Sequence, residues 1–173
     1  IPYPDGTPGF YFVRLQYSDK ADKLFAGEKA LREIMQESNI KINGEMVHIR
    51  HTYLEADDQS VGIQQIFDND PYTLAKTYEA NPFRIEITFP SPRKINGFSI
   101  IIGSANVTIT LTGFAYLGAD PVTYKFEGQG ALEKPELTFD LPEPLTVKIL
   151  YLEQLDNNAV PPTKNHIWEL TLH

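Results

Sequence analysis

The fold is decided by the stretch Phe83-Arg84-Ile85-Glu86-Ile87-Thr88-Phe89, in which apolar and polar side chains alternate at every position. Successive side chains of a β-strand point to opposite faces of a sheet, so this pattern predicts a strand with one buried and one solvated face. The same alternation returns in five further runs: Val47 to His51, Val107 to Leu111, Leu137 to Leu141, Val147 to Tyr151 and Trp168 to Leu172. The apolar members of all these runs are predicted to face one core.

Turn residues separate the alternating runs. They are Pro90-Ser91-Pro92, Gly103-Ser104, Gly118-Ala119-Asp120-Pro121 and Pro142-Glu143-Pro144. Many short strands with turn signals between them are typical of sandwiches and barrels. We therefore predict an all-β, antiparallel β-sandwich of the jelly-roll kind over residues 45–173.

The first 44 residues follow a different pattern and are predicted to form an N-terminal extension. Phe10 to Tyr17 alternates well enough to be a strand, and apolar residues at helical spacing predict a helix from about Lys20 to Ser38. Asp19 is placed to cap that helix. The helix is interpreted either as a linker element to an upstream domain or as a cover for one end of the sandwich.

Composition excludes several classes of protein. The chain has 173 residues and a formal net charge of −8, from 23 acidic and 15 basic residues, which argues against a nucleic-acid partner. It has no cysteine for a disulfide or a thiolate metal site. Its longest apolar stretch, Phe98 to Ile102, is too short to span a bilayer. Because the chain opens on Ile1 rather than methionine, we expect it to be part of a longer, extracellular or extracytoplasmic protein, monomeric when isolated.

Oxygen ligands are concentrated in the acidic turn Ile66-Phe67-Asp68-Asn69-Asp70-Pro71-Tyr72-Thr73, and a further acidic residue, Glu169, stands in the apolar closing strand. A Ca²⁺ ion takes six to eight oxygen ligands, which such a turn could begin to supply and Glu169 could complete. The same residue types also build ordinary turns, so spacing alone leaves both interpretations open.

The acidic turn resembles the loop of discoidin (coagulation factor 5/8 type C) domains and of family 32 carbohydrate-binding modules, which share the galactose-binding-like fold. The resemblance continues in order through Asn81 to Phe89, Ile95 to Ile100 and His166 to Leu170. It implies a structural calcium site whose ligands would be Gln65 through its carbonyl, Asp68, Asp70, Thr73 and Glu169. Asn69 replaces the usual glycine of that loop, and asparagine is the next residue most tolerant of positive φ.

The resemblance also implies a glycan-binding surface in the loops at one end of the sandwich. The residues interpreted as sugar contacts are His51, Tyr53, Tyr72, Tyr78 and Asn157, each of which also has a purely structural interpretation. No nucleophile elbow, phosphate loop or His-rich metal motif is present, so we expect no enzyme. The predicted role is a carbohydrate-binding accessory module. The alternative is an interaction domain that packs on a sister domain of a membrane-anchored or glycan-processing enzyme and exposes a continuous apolar patch.

Overall fold

The computed structural model describes residues 33–56, 62–104, 106–128, 136–159 and 163–173. The strand predicted from Phe10 to Tyr17 and most of the predicted helix lie outside these residues. The described chain is almost entirely β-structure, with one short 3₁₀ helix at Ile63–Phe67. Its strands are β1 Met35–Ile42, β2 Glu45–Thr52, β3 Ala75–Lys76, β4 Phe83–Ile102, β5 Val107–Phe114, β6 Val122–Glu127, β7 Glu136–Asp156 and β8 His166–Leu172.

All strand pairs of the described residues are antiparallel, and they form two layers. One layer has the order β1-β2-β4-β7-β5-β6. The second half of β4 leaves this layer, pairing with the first half of β7 on one side and with β8 on the other, and β8 in turn pairs with β3. The two long strands therefore contribute to both layers, as strands at the corners of a sandwich do. The predicted all-β antiparallel sandwich is confirmed.

The two proline-rich turn signals lie at the corners where β4 and β7 change layer. Register breaks occur between Thr88 and Arg93 and between Ile95 and Gly97. The extra residues are 89–92 in β4 and 141–144 in β7, which include both Pro-x-Pro segments. Proline cannot donate to a sheet ladder, so the pairing slips where it occurs. We call this side of the sandwich the corner end, defined by residues 43–44, 90–92, 115–121 and 142–144.

A register break also changes which side chains of β7 are buried. The alternation predicted Val147, Ile149 and Tyr151 on the inner face. Val147 is buried, but beyond it the buried residues are Leu150 and Leu152, so the prediction is wrong for Ile149 and Tyr151. The residues inserted in β4 shift the phase of pairing, and a one-residue change of phase exchanges the two faces. Ile149 therefore lies on the outer face of the sheet.

The helix predicted to run to Ser38 is wrong over Met35 to Ser38, which belong to β1. β1 and β2 form a hairpin in which Ile42 pairs with Glu45. Asn43 and Gly44 make the turn with φ values of 51° and 82°, the two positive angles that an Asn-Gly hairpin turn requires. Pairing with β2 overrides the helical spacing, because it buries Ile40 and Ile42 against the core. The sheet thus begins before Glu45, and position 44 lies inside the hairpin turn.

The core fills the space between the layers with the apolar members of the alternating runs. Phe83, Ile85, Ile87 and Phe89 are fully buried, as their spacing predicted. The Phe98 ring of the second layer lies 5.4 Å from the ring of Phe126 in β6, which joins the layers through an edge contact between aromatic rings. Among the described residues, no helix has the length and apolarity needed to cross a bilayer.

The end of the sandwich opposite the corners is held by asparagine side chains. Asn81 Nδ2 donates to the carbonyl of Asp156 at 2.9 Å, and Asn165 Nδ2 donates to Asn81 Oδ1 at 2.8 Å. The amide of Asn157 donates to the carbonyl of Asn106 at 3.0 Å. We call this side the asparagine end, defined by residues 77–82, 103–104, 106, 156–159 and 163–166. The loops gathered there contain two of the predicted ligand contacts, Tyr78 and Asn157.

Candidate functional site

The acidic turn is built by its own side chains. The 3₁₀ helix is anchored by the buried Ile63 and Ile66, and Asn69 follows with φ 61°, as its replacement of glycine anticipates. Asp68 Oδ1 accepts a hydrogen bond from the amide of Asp70 at 2.8 Å, and Asp70 Oδ1 accepts one from the amide of Tyr72 at 2.9 Å. These are Asx turns, which curl the backbone tightly.

Thr73 closes the curl. Its hydroxyl donates to Asp68 Oδ2 at 3.0 Å and lies 3.1 Å from the carbonyl oxygen of Asp70. The amide of Thr73 also donates to that carbonyl at 3.2 Å. Five oxygen atoms of Asp68, Asp70 and Thr73 are therefore gathered within one short loop. Gln65 lies just before the loop, and its side-chain oxygen accepts a hydrogen bond from the amide of Gly62 at 3.2 Å. In the predicted site, Gln65 would therefore contribute its main-chain carbonyl oxygen.

Glu169 joins the loop from the last strand, although 101 positions separate it from Asp68 along the chain. Only 8% of Glu169 is exposed. Burial, and after it the neighbouring Asp68 carboxyl, raise the pKa of Glu169 to about 7, while the Asp70 amide opposes the rise. Glu169 Oε1 is buried without a hydrogen-bond partner in the described part of the chain. A buried, unpaired carboxyl oxygen beside a second carboxylate is a position that a cation would stabilise.

The donor set fits a hard cation only if the main chain contributes. No three His, Asp or Glu side chains within the described residues are grouped closely enough to hold a metal ion on their own. The Glu169 carboxyl interacts with the side chain of Asp68 but with the backbone amide of Asp70. Carboxylate, hydroxyl and carbonyl oxygens together are the ligands that Ca²⁺ prefers, and Ca²⁺ tolerates irregular geometry. The chemistry of the loop therefore suits Ca²⁺ better than a metal that needs nitrogen or sulfur ligands.

The predicted sugar contacts do not converge on one hollow. His51 is buried, its Nδ1 lies 2.9 Å from the Thr52 carbonyl oxygen, and burial lowers its pKa. The rings of Tyr53 and Tyr78 pack edge to face at 6.1 Å. Tyr72 extends from the acidic turn with 86% of its surface exposed. Asn157 is exposed at the asparagine end, where its Oδ1 accepts the hydroxyl of Thr108 at 3.2 Å.

A polar hollow of about 190 Å³ opens at the asparagine end. Gln154, Asp156, Asn165 and His166 line it, with Lys164 at its rim. Gln154 is only 2% exposed, and its Oε1 has no hydrogen-bond partner among the described residues. A buried, unpaired amide oxygen costs about 1–3 kcal/mol, so this side chain is placed for a donor that enters the hollow.

The alternation-based interpretation missed this hollow, although the chain holds a signal for it. Leu150, Leu152 and Gln154 occupy successive inward positions of β7, and Gln154 is the polar member of the set. A polar residue at a core position needs a partner, which the strand cannot supply. Asn165 carries no comparable signal, because it lies outside the regular strands. Asn165 comes beside Gln154 only because β7 ends and β8 begins at the same end of the sandwich, and its Nδ2 donates to the Gln154 carbonyl at 3.5 Å.

Solved structures with a similar fold include carbohydrate-binding modules. The family 32 module of C. perfringens NanJ, solved in complex with galactose, is 13% identical, with a TM-score of 0.56 over 73% of this chain and 92% of that chain. The family 32 module of AlyQ, in complex with 4,5-unsaturated mannuronic acid, is 11% identical, with a TM-score of 0.56 over 79% and 98% of the two chains. A GH29 fucosidase from Ruminococcus gnavus, in complex with fucose, is 10% identical, with a TM-score of 0.57 over 73% of this chain and 25% of that chain.

No family model and no curated protein matches the chain by sequence. Identities of 10–13% establish a common fold and nothing finer. The similarity spans nearly the full length of the two free modules, and it agrees with the two-layer sandwich. The chain therefore has the galactose-binding-like β-sandwich fold that discoidin domains share with family 32 carbohydrate-binding modules.

Proposed function

We propose that this chain is a non-catalytic carbohydrate-binding module of a larger extracytoplasmic protein. Two of the similar structures are sugar-bound modules that the sandwich matches over 92% and 98% of their length. The fucosidase matches over only a quarter of its chain, which supports an accessory role for such a sandwich inside a larger protein. The role follows from the site rather than from the fold, since one fold carries many functions.

The observation that carries the proposal is the amide oxygen of Gln154, which has no hydrogen-bond partner among the described residues. The hollow around it is lined by an amide, a carboxylate and an imidazole residue, Gln154, Asp156 and His166, and by Lys164, whose ammonium group binds the Glu55 carboxylate. Sugar hydroxyls both donate and accept, so such a mixed set of groups can fix several of them at once. A volume of about 190 Å³ suits one terminal sugar unit better than the middle of a chain. Tyr78 and Asn157 lie at the same end, and we propose that these two predicted contacts extend the site.

A structural calcium ion is part of the proposal. Asp68, Asp70, Thr73 and Glu169 would hold it, with the carbonyl of Gln65. The support is the unpaired Glu169 Oε1 beside Asp68. The ion would neutralise two adjacent carboxylates and tie the acidic turn to β8. It would contribute stability and no chemistry, since binding to the folded state stabilises that state.

The test is binding of the full chain to a glycan array, with Gln154→Leu as the diagnostic variant. Leucine fills a similar volume without the unpaired oxygen, so we expect the melting temperature to stay constant or rise while binding of terminal sugars is lost. Thr146→Val, an exposed polar-to-apolar change at the corner end of the same strand, is the control. An array with no bound glycan, or a Gln154→Leu protein that binds as the wild type does, would contradict the proposal.

A further inference from the structure

A second hollow lies on the outer face of the sheet, far from the acidic turn in sequence. It is an open groove of about 640 Å³ at the corner end, between the β4 corner at Pro92 and the β5–β6 loop. Ile149, Thr88, Glu86 and Lys148 form its floor. The register break that turned Ile149 outward is what makes this floor apolar at its centre. Ligand sites commonly have volumes of 300–1,000 Å³ and combine apolar walls with a few polar groups.

The wall of the groove is an aromatic side chain held out into solvent. Tyr116 is 65% exposed and Leu117 is 86% exposed, and Val122 at the start of β6 is exposed beside them. The loop that carries Tyr116 is closed by a hydrogen bond from the Ala119 amide to the Tyr116 carbonyl at 3.1 Å, and Gly118 supplies the positive φ of 88° that this turn requires. A tyrosine on such a fixed turn offers a flat apolar surface at low entropic cost.

The floor keeps spare hydrogen-bonding capacity. Among the described residues, the Thr88 hydroxyl has no hydrogen-bond partner. Glu86 meets Arg50 through Oε2 at 3.5 Å, which leaves Oε1 able to accept. Lys148 Nζ donates to the Pro90 carbonyl, and an ammonium group has three protons to donate. An apolar protein segment laid over these groups would bury them without partners, which is costly. A sugar ring, with an apolar face and hydroxyls at its edge, would satisfy both surfaces.

We propose that this groove is a second glycan site, which binds internal units of a neutral polysaccharide by stacking a sugar ring on Tyr116 and fixing its hydroxyls with Thr88, Glu86 and Lys148. The inference rests on the carbohydrate-binding function proposed above. The groove is open along the sheet, so a chain can pass through it, whereas the hollow at Gln154 is small. The floor holds one acid and one base, and the whole chain carries −8, so a polyanionic glycan would be repelled at long range.

The test is affinity electrophoresis of the full chain in gels that contain soluble galactan, soluble β-glucan or polygalacturonate. Tyr116→Ala is expected to weaken retention by a neutral polysaccharide roughly tenfold, the loss that one aromatic stacking contact and its buried area predict. Tyr116→Phe should retain binding, and Thr88→Val should weaken it without changing the melting temperature. Ile34→Ala is the control, because it removes an exposed apolar side chain that does not line the groove and is not a predicted sugar contact.

The outcomes separate this inference from the function on which it rests. Retention by galactan or β-glucan that falls in Tyr116→Ala and Thr88→Val but not in Ile34→Ala supports the groove, and insensitivity to salt supports a neutral ligand. Retention that is equal in wild type and both groove variants, while Gln154→Leu abolishes binding, overturns the groove and leaves the proposed function intact. Self-association that Tyr116→Ala abolishes, with no effect on glycans, overturns it in favour of protein docking. A wild type that no glycan retains overturns both.

Discussion

The stability of this protein should depend on pH and calcium through one side chain, Glu169. In the metal-free protein its pKa is raised to about 7, against 4.5 for an ordinary glutamate. Below pH 4.5 the carboxyl is protonated in the folded and the unfolded chain, so it imposes no cost. Between pH 4.5 and 7 the unfolded chain loses this proton while the folded chain keeps it, so stability falls as pH rises. The difference of about 2.5 in pKa corresponds to about 3 kcal/mol, reached above pH 7.

The perturbation is Glu169→Gln, measured by thermal unfolding with excess chelator and then with calcium. With chelator, we expect the variant to melt on the order of 5–10 °C above the wild type near pH 8 and to match it near pH 4, because glutamine has no charge to bury. With calcium, the wild type should melt at a higher temperature than the variant. The wild type gains about 4.1 kcal/mol when calcium is at a thousand times its dissociation constant, which exceeds the cost of the buried charge, whereas the variant has lost a ligand. Glu143→Gln, at an exposed position, is the control and should leave both curves unchanged.

Two results would refute this reasoning. If wild type and Glu169→Gln respond to pH in parallel with chelator present, the buried carboxyl does not carry the strain that its surroundings imply. If calcium raises the melting temperature of both proteins equally, or of neither, the acidic turn and Glu169 do not form a cation site. The first result tests whether burial raises the pKa of Glu169, and the second tests whether Glu169 binds a metal ion.

Two further substitutions test the packing. Gly97→Ala should destabilise the protein by about 1–3 kcal/mol in urea unfolding, because a Cβ there would lie 2.4 Å from the Phe139 carbonyl oxygen. Gly62→Ala is the control and should cost far less, because a Cβ at position 62 meets no atom within 4 Å. Equal losses of stability in the two variants would show that the close approach at Gly97 is absent. Phe98→Ala should lower the free energy of unfolding by about 3–5 kcal/mol, since the ring is fully buried between the layers. Leu117→Ala, at an exposed position, should change stability little. A Phe98→Ala protein as stable as the Leu117→Ala protein would contradict the assigned core.

The alternation of apolar and polar residues predicted strands correctly where every second side chain is buried. The run from Phe83 to Phe89 could be read as a strand with its inner face assigned residue by residue, because one buried face imposes strict alternation. The tight turn from Asp68 to Thr73 was also predictable, because its side-chain hydrogen bonds join residues only two to five positions apart. The positive φ at Asn69 followed from its replacement of glycine.

Pairing between strands far apart in sequence decided the features that local sequence could not predict. Whether Met35 to Ser38 became helix or strand depended on β2, and the outward turn of Ile149 depended on residues inserted in β4. Glu169 reaches Asp68, and Asn165 reaches Gln154, only because β8 and β7 return to these places. Propensity and periodicity are properties of neighbours along the chain, whereas register and contact between distant strands depend on how the whole chain closes its core. The alternating segments could therefore be recognised in the amino-acid order, but both hollows exist only in the assembled sandwich.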